Sequence, residues 1–224
     1  MLNDFKNNFD FYLRNKFHFS RKNFIEKNPK LIERNVQENL YVKDVLEKYF
    51  KKNKKDFIKV LDVGSKNWFY ARGEYEFFES LACKFSLDGV EIDAYRLYSN
   101  FYNRYETAKY YTKNLKNTNY IAGNLLDLKE KYDYIIWLLP FVTYKPHKIW
   151  GLPKKYFYPE KLLTHAYNLL CEQGQILIIN QGEEEAKIQK ELLKKLGVQY
   201  NDLGIVKSEH FQYKNKRFGF LIYK

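Results

Sequence analysis

The chain has 224 residues, 45% hydrophobic and 29% charged, a balance that excludes a disordered chain and suits one domain with a full core. Its 39 Lys and Arg against 27 Asp and Glu give a net charge of +12. That charge is spread through a sequence rich in Lys, Asn, Tyr, Phe and Ile, as an A/T-rich genome produces, and no single tract resembles a nucleic-acid footprint.

In chain order, residues 1–52 read as an N-terminal helical cap to the same domain. Phe9, Tyr12 and Leu13 share one helix face, as do Val42, Val45, Leu46 and Tyr49, with Pro29 as the break between them. The run Lys51-Lys52-Asn53-Lys54-Lys55 reads as a solvated linker. Residues 53–224 then alternate strands and helices. Strands are expected at 57–64, at the segment ending Gly89–Asp93, and at 119–122, 132–139 and 175–180. Helices are expected at 72–83, 94–116, 159–170 and 183–196, the last closed by Gly197. The final two strands, near 199–207 and 217–223, have no helix between them and should pair antiparallel. The prediction is an α/β fold: a mostly parallel, seven-stranded sheet with a C-terminal antiparallel hairpin and helices on both faces.

Two widely separated cysteines, Cys83 and Cys171, argue against a disulfide framework and fit a reducing compartment. No apolar stretch follows Met1 as a signal peptide requires, and the longest apolar run, Ile135–Val142, is far short of the roughly 20 residues that span a bilayer. The expectation is a cytoplasmic protein without a membrane segment. No His, Cys and carboxylate cluster has zinc-like spacing, so no metal is expected.

The strand ends carry the informative motifs. Val60-Leu61-Asp62-Val63-Gly64-Ser65 ends a strand in an acid and a glycine. Gly89-Val90-Glu91-Ile92-Asp93 ends the second in acids. Ile121-Ala122-Gly123-Asn124-Leu125 follows the third. Tyr132-Asp133-Tyr134 opens the fourth, and Glu172-Gln173-Gly174-Gln175-Ile176 leads into the fifth. In this order they resemble the motif series of class I S-adenosylmethionine-dependent methyltransferases, and the final hairpin extends the likeness to the C-terminus. The resemblance implies the Rossmann-like methyltransferase fold and S-adenosylmethionine as cofactor. It also implies a cofactor site built from Asp62, Gly64, Ser65, Lys66, Glu91, Ile92, Asn124, Leu125 and Trp137. Glu91 matches the acid that accepts both ribose hydroxyls, and Asn124 the residue that accepts from the adenine amino group. The chain departs from the family's first motif at Lys66 and Trp68, where two further glycines are usual. Lys66 would pair with the cofactor carboxylate, or the bulkier turn would fill the site.

In an open α/β sheet the site lies at the carboxyl ends of the strands. The long segment 140–158, rich in proline and aromatic residues, is expected to cover the methyl group and carry specificity. His147 on it is a candidate base, and Asn180 and Gln181 after the fifth strand are candidates for orienting a nucleophile. Leu138 stands where base-amino methyltransferases carry a polar residue, which disfavours that chemistry. The function expected is methyl transfer to a small molecule or protein side chain. Two alternatives remain. One is a non-catalytic scaffold, which requires an occluded cleft. The other is an RNA methyltransferase, with Lys145, Lys148, Lys154 and Lys155 on its RNA-facing surface.

Overall fold

The computed structural model describes residues 29–52, 55–81, 84–98 and 101–224. The expected helix face of Phe9, Tyr12 and Leu13, along with His18 and Cys83, lies outside the described residues.

Helix α1 (Pro29–Tyr49) is followed by β1 (Phe57–Val63), α2 (Ala71–Ser80), β2 (Lys84–Glu91), α3 (Arg104–Thr112) and β3 (Thr118–Ala122). Next come β4 (Tyr132–Leu138), α4 (Tyr144–Ile149), α5 (Pro159–Leu169) and β5 (Leu170–Gln181). The chain finishes with α6 (Gly182–Leu196), β6 (Tyr200–Val206) and β7 (Arg217–Tyr223). The seven strands form one sheet in the order β3-β2-β1-β4-β5-β7-β6. β1 to β5 pair in parallel, and β7 pairs antiparallel with both β5 and β6.

Alternation along the strands divides the core into two layers. Ile58, Val60, Leu87, Ile136 and Leu177 pack on one face with Val42, Val45 and Leu46 of α1 and Phe77 and Phe78 of α2. Leu61, Ile135, Ile176 and Ile178 pack on the other with Leu163 and Ala166 of α5 and Leu193 of α6. Every residue of β4 except Leu138 is buried, as a central parallel strand covered on both faces requires. α1 is clipped to α2: Asn39 Oδ1 accepts from the Gly73 amide at 2.7 Å, and the approach is so close that a β-carbon on Gly73 would lie 2.2 Å from the Asn39 carbonyl oxygen. Gly197 closes α6 in the left-handed conformation, φ 72°, donating to the carbonyls of Leu193 and Lys194.

One expectation is corrected. Among the described residues, the predicted helix over 94–116 is present only as α3. Before it the chain turns irregularly, with Tyr98 donating to the Tyr102 carbonyl and Leu97 bridging Asn103. Asn103 then starts the helix through a reciprocal capping box with Glu106. The segment after β4 contains the short helix α4 and a 3-10 turn at Lys154–Tyr156. Among the described residues no helix is long and apolar enough to cross a membrane, and no group of three or more His, Cys, Asp or Glu could hold a metal.

Candidate functional site

β1 is flanked by β2 on one side and β4 on the other, so the crevice where the strand order reverses lies at its carboxyl end. A cavity of about 640 Å³ occupies this edge. The turn after β1 forms its floor. Gly64 holds φ 73°, and a β-carbon there would meet nothing within 4 Å. Lys66 and Trp68 also hold left-handed backbone, φ 55° and 48°. The turn therefore keeps the glycine-like conformation with two side chains that disfavour it, at roughly 1–2 kcal/mol each. Lys66 lines the cavity. Trp68 does not: it is fully buried in the α1–α2 layer, its Nε1 donating to Glu74 Oε2 at 2.9 Å. The cleft beside Gly64 and Glu91 is open, so the occlusion that a scaffold reading requires is not found.

Glu91, at the end of β2, is held from both sides. Its Oε2 accepts from the Lys66 amide at 2.9 Å and its Oε1 from the Asp93 amide at 2.8 Å. Burial raises the Glu91 carboxyl, while the Asp93 amide, the Arg104 charge and the Lys66 amide pull it back down. Buried Arg104 pairs with Asp93 at 3.2 Å and stands 3.6 Å from Glu91. Trp150, from the segment after β4, closes over this group. Its ring lies 4.7 Å from the Arg104 guanidinium and 5.0 Å from Lys66 Nζ. Burial, aided by the Arg104 charge, lowers the Lys66 ammonium below its ordinary value.

Beyond β3, Asn124 Oδ1 accepts from the Leu126 amide at 3.0 Å, and its Nδ2 donates to Tyr158 Oη at 2.9 Å. The carbonyl oxygen keeps one further lone pair. Ile92, Leu125 and Trp137 complete this end of the cavity. Over its middle, His147 is 1% exposed, with neither ring nitrogen hydrogen-bonded. It packs among Phe141, Tyr144 and Phe157 at centroid distances of 5.3–5.8 Å, and burial holds it below its ordinary pKa. Leu139, where the chain leaves β4, holds a left-handed φ of 59°. At the far end α1 contributes Arg34, Glu38 and Tyr41, and the β6–β7 region contributes Tyr213 and Arg217. Glu38 accepts from Arg34 Nε at 2.6 Å and from Tyr213 Oη at 3.0 Å.

No family profile and no curated protein sequence matches the chain. Solved structures do. The chain is similar to a SAM-dependent methyltransferase from Aquifex aeolicus at TM-score 0.58 and 15% identity, over 88% of this chain and 99% of that one. A methyltransferase from Pyrococcus furiosus matches at TM-score 0.57 and 16% identity, over 99% and 98%. Magnesium protoporphyrin IX methyltransferase from Synechocystis PCC 6803, solved with bound SAM, matches at TM-score 0.52 and 11% identity, over 95% and 89%. The chain has the class I methyltransferase fold.

Within that fold, Gly64, Lys66, Glu91, Ile92, Asn124, Leu125, Trp137 and His147 all border the one cavity. Asp62 and Ser65 lie beneath it, fully buried. Asp62 Oδ2 accepts from Tyr70 Oη at 2.8 Å and its Oδ1 has no partner. Asn180 is also fully buried, with both amide atoms unpartnered, and it does not border the cavity. Nor does Gln181, whose Oε1 accepts from Arg217 Nη1 at 2.7 Å. Arg104, Glu38, Tyr41, Tyr213 and Arg217 were missed. Only Arg104 carried a local signal: Asn103 three residues before Glu106 has capping-box spacing, which marks a helix that starts at Arg104.

Proposed function

We propose that the chain is an S-adenosylmethionine-dependent methyltransferase whose acceptor is a small molecule enclosed with the cofactor. The observation that carries this reading is Glu91: a buried carboxylate, fixed by two backbone amides, on a cavity that also opens beside the glycine turn after β1. The residues present fit the cofactor. Open space at Gly64 admits its close approach, Glu91 would hold the ribose hydroxyls, and Asn124 with Leu125 would border the adenine. Lys66, a half-buried ammonium on the cavity wall with no carboxylate in salt-bridge contact among the described residues, would take the cofactor carboxylate. When bound, S-adenosylmethionine supplies an activated methyl group.

The remaining work belongs to the chain's own groups. The segment 140–158 keeps water out, with Phe141, His147, Trp150 and Phe157 on the cavity wall. Neutral His147, with both ring nitrogens unpartnered, would accept the proton an O–H or N–H acceptor must lose. Lys145, Lys148, Lys154 and Lys155 are exposed, whereas these aromatic rings face the cavity. That division supports an enclosed acceptor over an RNA that stacks on surface aromatics.

Calorimetry with S-adenosylmethionine and S-adenosylhomocysteine tests the reading. Both should bind, and Glu91→Ala should weaken them about 10- to 100-fold, the value of hydrogen bonds to a charged group. Absence of binding at millimolar ligand would overturn it.

A further inference from the structure

We infer that the end of the cavity between α1 and the start of β7 is an anion subsite, and that the methyl acceptor carries a carboxylate which Arg217 receives. The acceptor role rests on the methyltransferase reading above; the anion subsite itself does not.

The argument starts from charge. Three ionised side chains border this end: Arg34, Glu38 and Arg217. Arg34 and Glu38 neutralise each other across a 2.6 Å contact. Arg217 is left over. It is 8% exposed, and no carboxylate lies within 4 Å of its guanidinium among the described residues. Glu38 and Glu185 act on it only from beyond contact distance. A buried guanidinium without a counter-ion is costly, and its planar fork matches a carboxylate bidentately.

The guanidinium is also held ready. Gln181 Oε1 accepts from Nη1 at 2.7 Å, and the Tyr213 ring lies 4.1 Å beneath the guanidinium carbon. Tyr213 is in turn braced edge-on by Tyr41 at 5.1 Å and hydrogen-bonded to Glu38. These contacts fix the plane of the guanidinium while leaving the rest of its fork without a carboxylate. A second, independent atom points to a ligand. Tyr41 is 4% exposed and borders the cavity, and its hydroxyl has no partner. It can donate to the same anion that Arg217 attracts. Between this end and the cofactor edge the wall is apolar, formed by Val42, Ile179, Pro140 and Phe141. The ligand so described is an apolar or aromatic body with one negative charge at the end remote from the methyl donor.

The test uses the whole chain and three probes of one size: 4-hydroxybenzoate, its neutral counterpart 4-hydroxybenzyl alcohol, and phenyl phosphate. Each is titrated by calorimetry with and without S-adenosylhomocysteine. 4-Hydroxybenzoate should bind at least about tenfold more tightly than the alcohol, and Arg217→Gln should remove that advantage. Preference for phenyl phosphate, equally lost in Arg217→Gln, would support the anion subsite and overturn the assignment of a carboxylate to the acceptor. Equal binding of the alcohol, no binding of either anion, or full anion affinity in Arg217→Gln would each overturn the inference. The wild-type comparison of acid and alcohol stands without any variant, should Arg217→Gln not fold. S-adenosylhomocysteine affinity separates the two readings: it should survive in Arg217→Gln. Cofactor binding without anion binding defeats the subsite alone, and anion binding without cofactor binding defeats the methyltransferase reading alone.

Discussion

The indole of Trp68 rests on the α-carbon of Gly89, so that a β-carbon at that position would lie 2.8 Å from three carbons of the ring. Trp68 is fully buried and tied through its Nε1 to Glu74, so the ring cannot swing aside. Gly89→Ala should therefore destabilise the fold by about 2 kcal/mol, the usual cost of overpacking a core. In a chain of this size that corresponds to roughly 4–8 °C in thermal midpoint. Trp68→Phe in the same background should recover part of the loss. Strict additivity of the two changes would show that the pair is not coupled.

Lys66 offers a prediction of opposite signs. Its backbone is left-handed, φ 55°, so Lys66→Gly should relieve about 1 kcal/mol of strain, less whatever the contact with Trp150 contributes. The same change removes the ammonium proposed for the cofactor carboxylate, so S-adenosylhomocysteine should bind about tenfold more weakly. Chemical denaturation and calorimetry on one preparation decide this. A loss of stability with unchanged affinity would assign Lys66 a purely structural role.

Asp62 makes stability depend on pH. Burial pushes its carboxyl up to about 8 and nearby Glu91 adds to the rise, against the hydrogen bond from Tyr70. Glu74, raised by burial and by Asp62, acts in the same direction. An acid whose pKa is higher in the folded chain keeps a proton there that the unfolded chain has released. Its contribution is fully present below the ordinary carboxylate range and is lost as pH rises towards about 8. Asp62→Asn keeps the acceptor for Tyr70 and carries no charge. Its thermal midpoint should overtake that of the wild type between pH 6 and pH 8.5. Parallel curves for the two proteins would contradict the assignment.

His147 should titrate below its ordinary 6.5, because burial disfavours the imidazolium. Its contribution to stability is present above that value and is lost on acidification. A carbon-detected NMR titration, with the resonance assigned by its absence in His147→Gln, should give a midpoint under 6.5. His147→Gln should leave S-adenosylhomocysteine affinity unchanged. A midpoint at or above 6.5 would remove the case for a neutral proton acceptor at physiological pH.

The sheet was legible because its strands advertise themselves. Tyr132–Leu138 is apolar almost throughout, and the lack of a helix between 207 and 217 signals an antiparallel pair. Glu91 was legible because a strand end in a known order fixes its place at the cofactor edge. The stretch before α3 misled because Tyr95, Tyr98 and Tyr102 recur at the three- and four-residue spacing of a helix face, while turn bonds such as that from the Tyr105 amide to the Ala94 carbonyl set the path of its described residues. The far end of the cavity was invisible for a different reason. Glu38 and Tyr213 are 175 positions apart, and neither α1 nor the β6–β7 turn carries a local pattern that announces their meeting. Asn180 and Gln181 were reached by the right topological rule, but that rule locates a strand end and does not say which way each side chain turns.

The clip between Asn39 and Gly73 separates two properties that many enzymes keep entangled. It fixes how α1 lies on α2 without using the residues of α1 that border the cavity, Arg34, Asn35, Glu38 and Tyr41 among them. The donor edge, from Gly64 to Asn124, is built from strand ends and their turns with Trp150 and Tyr158 of the segment after β4, and takes nothing from α1. One face of a single helix could then be rewritten, or exchanged between related chains, with its docking register intact. Such a cassette would let new acceptors be explored in the laboratory, or by drift, without reopening the question of how the methyl donor is held.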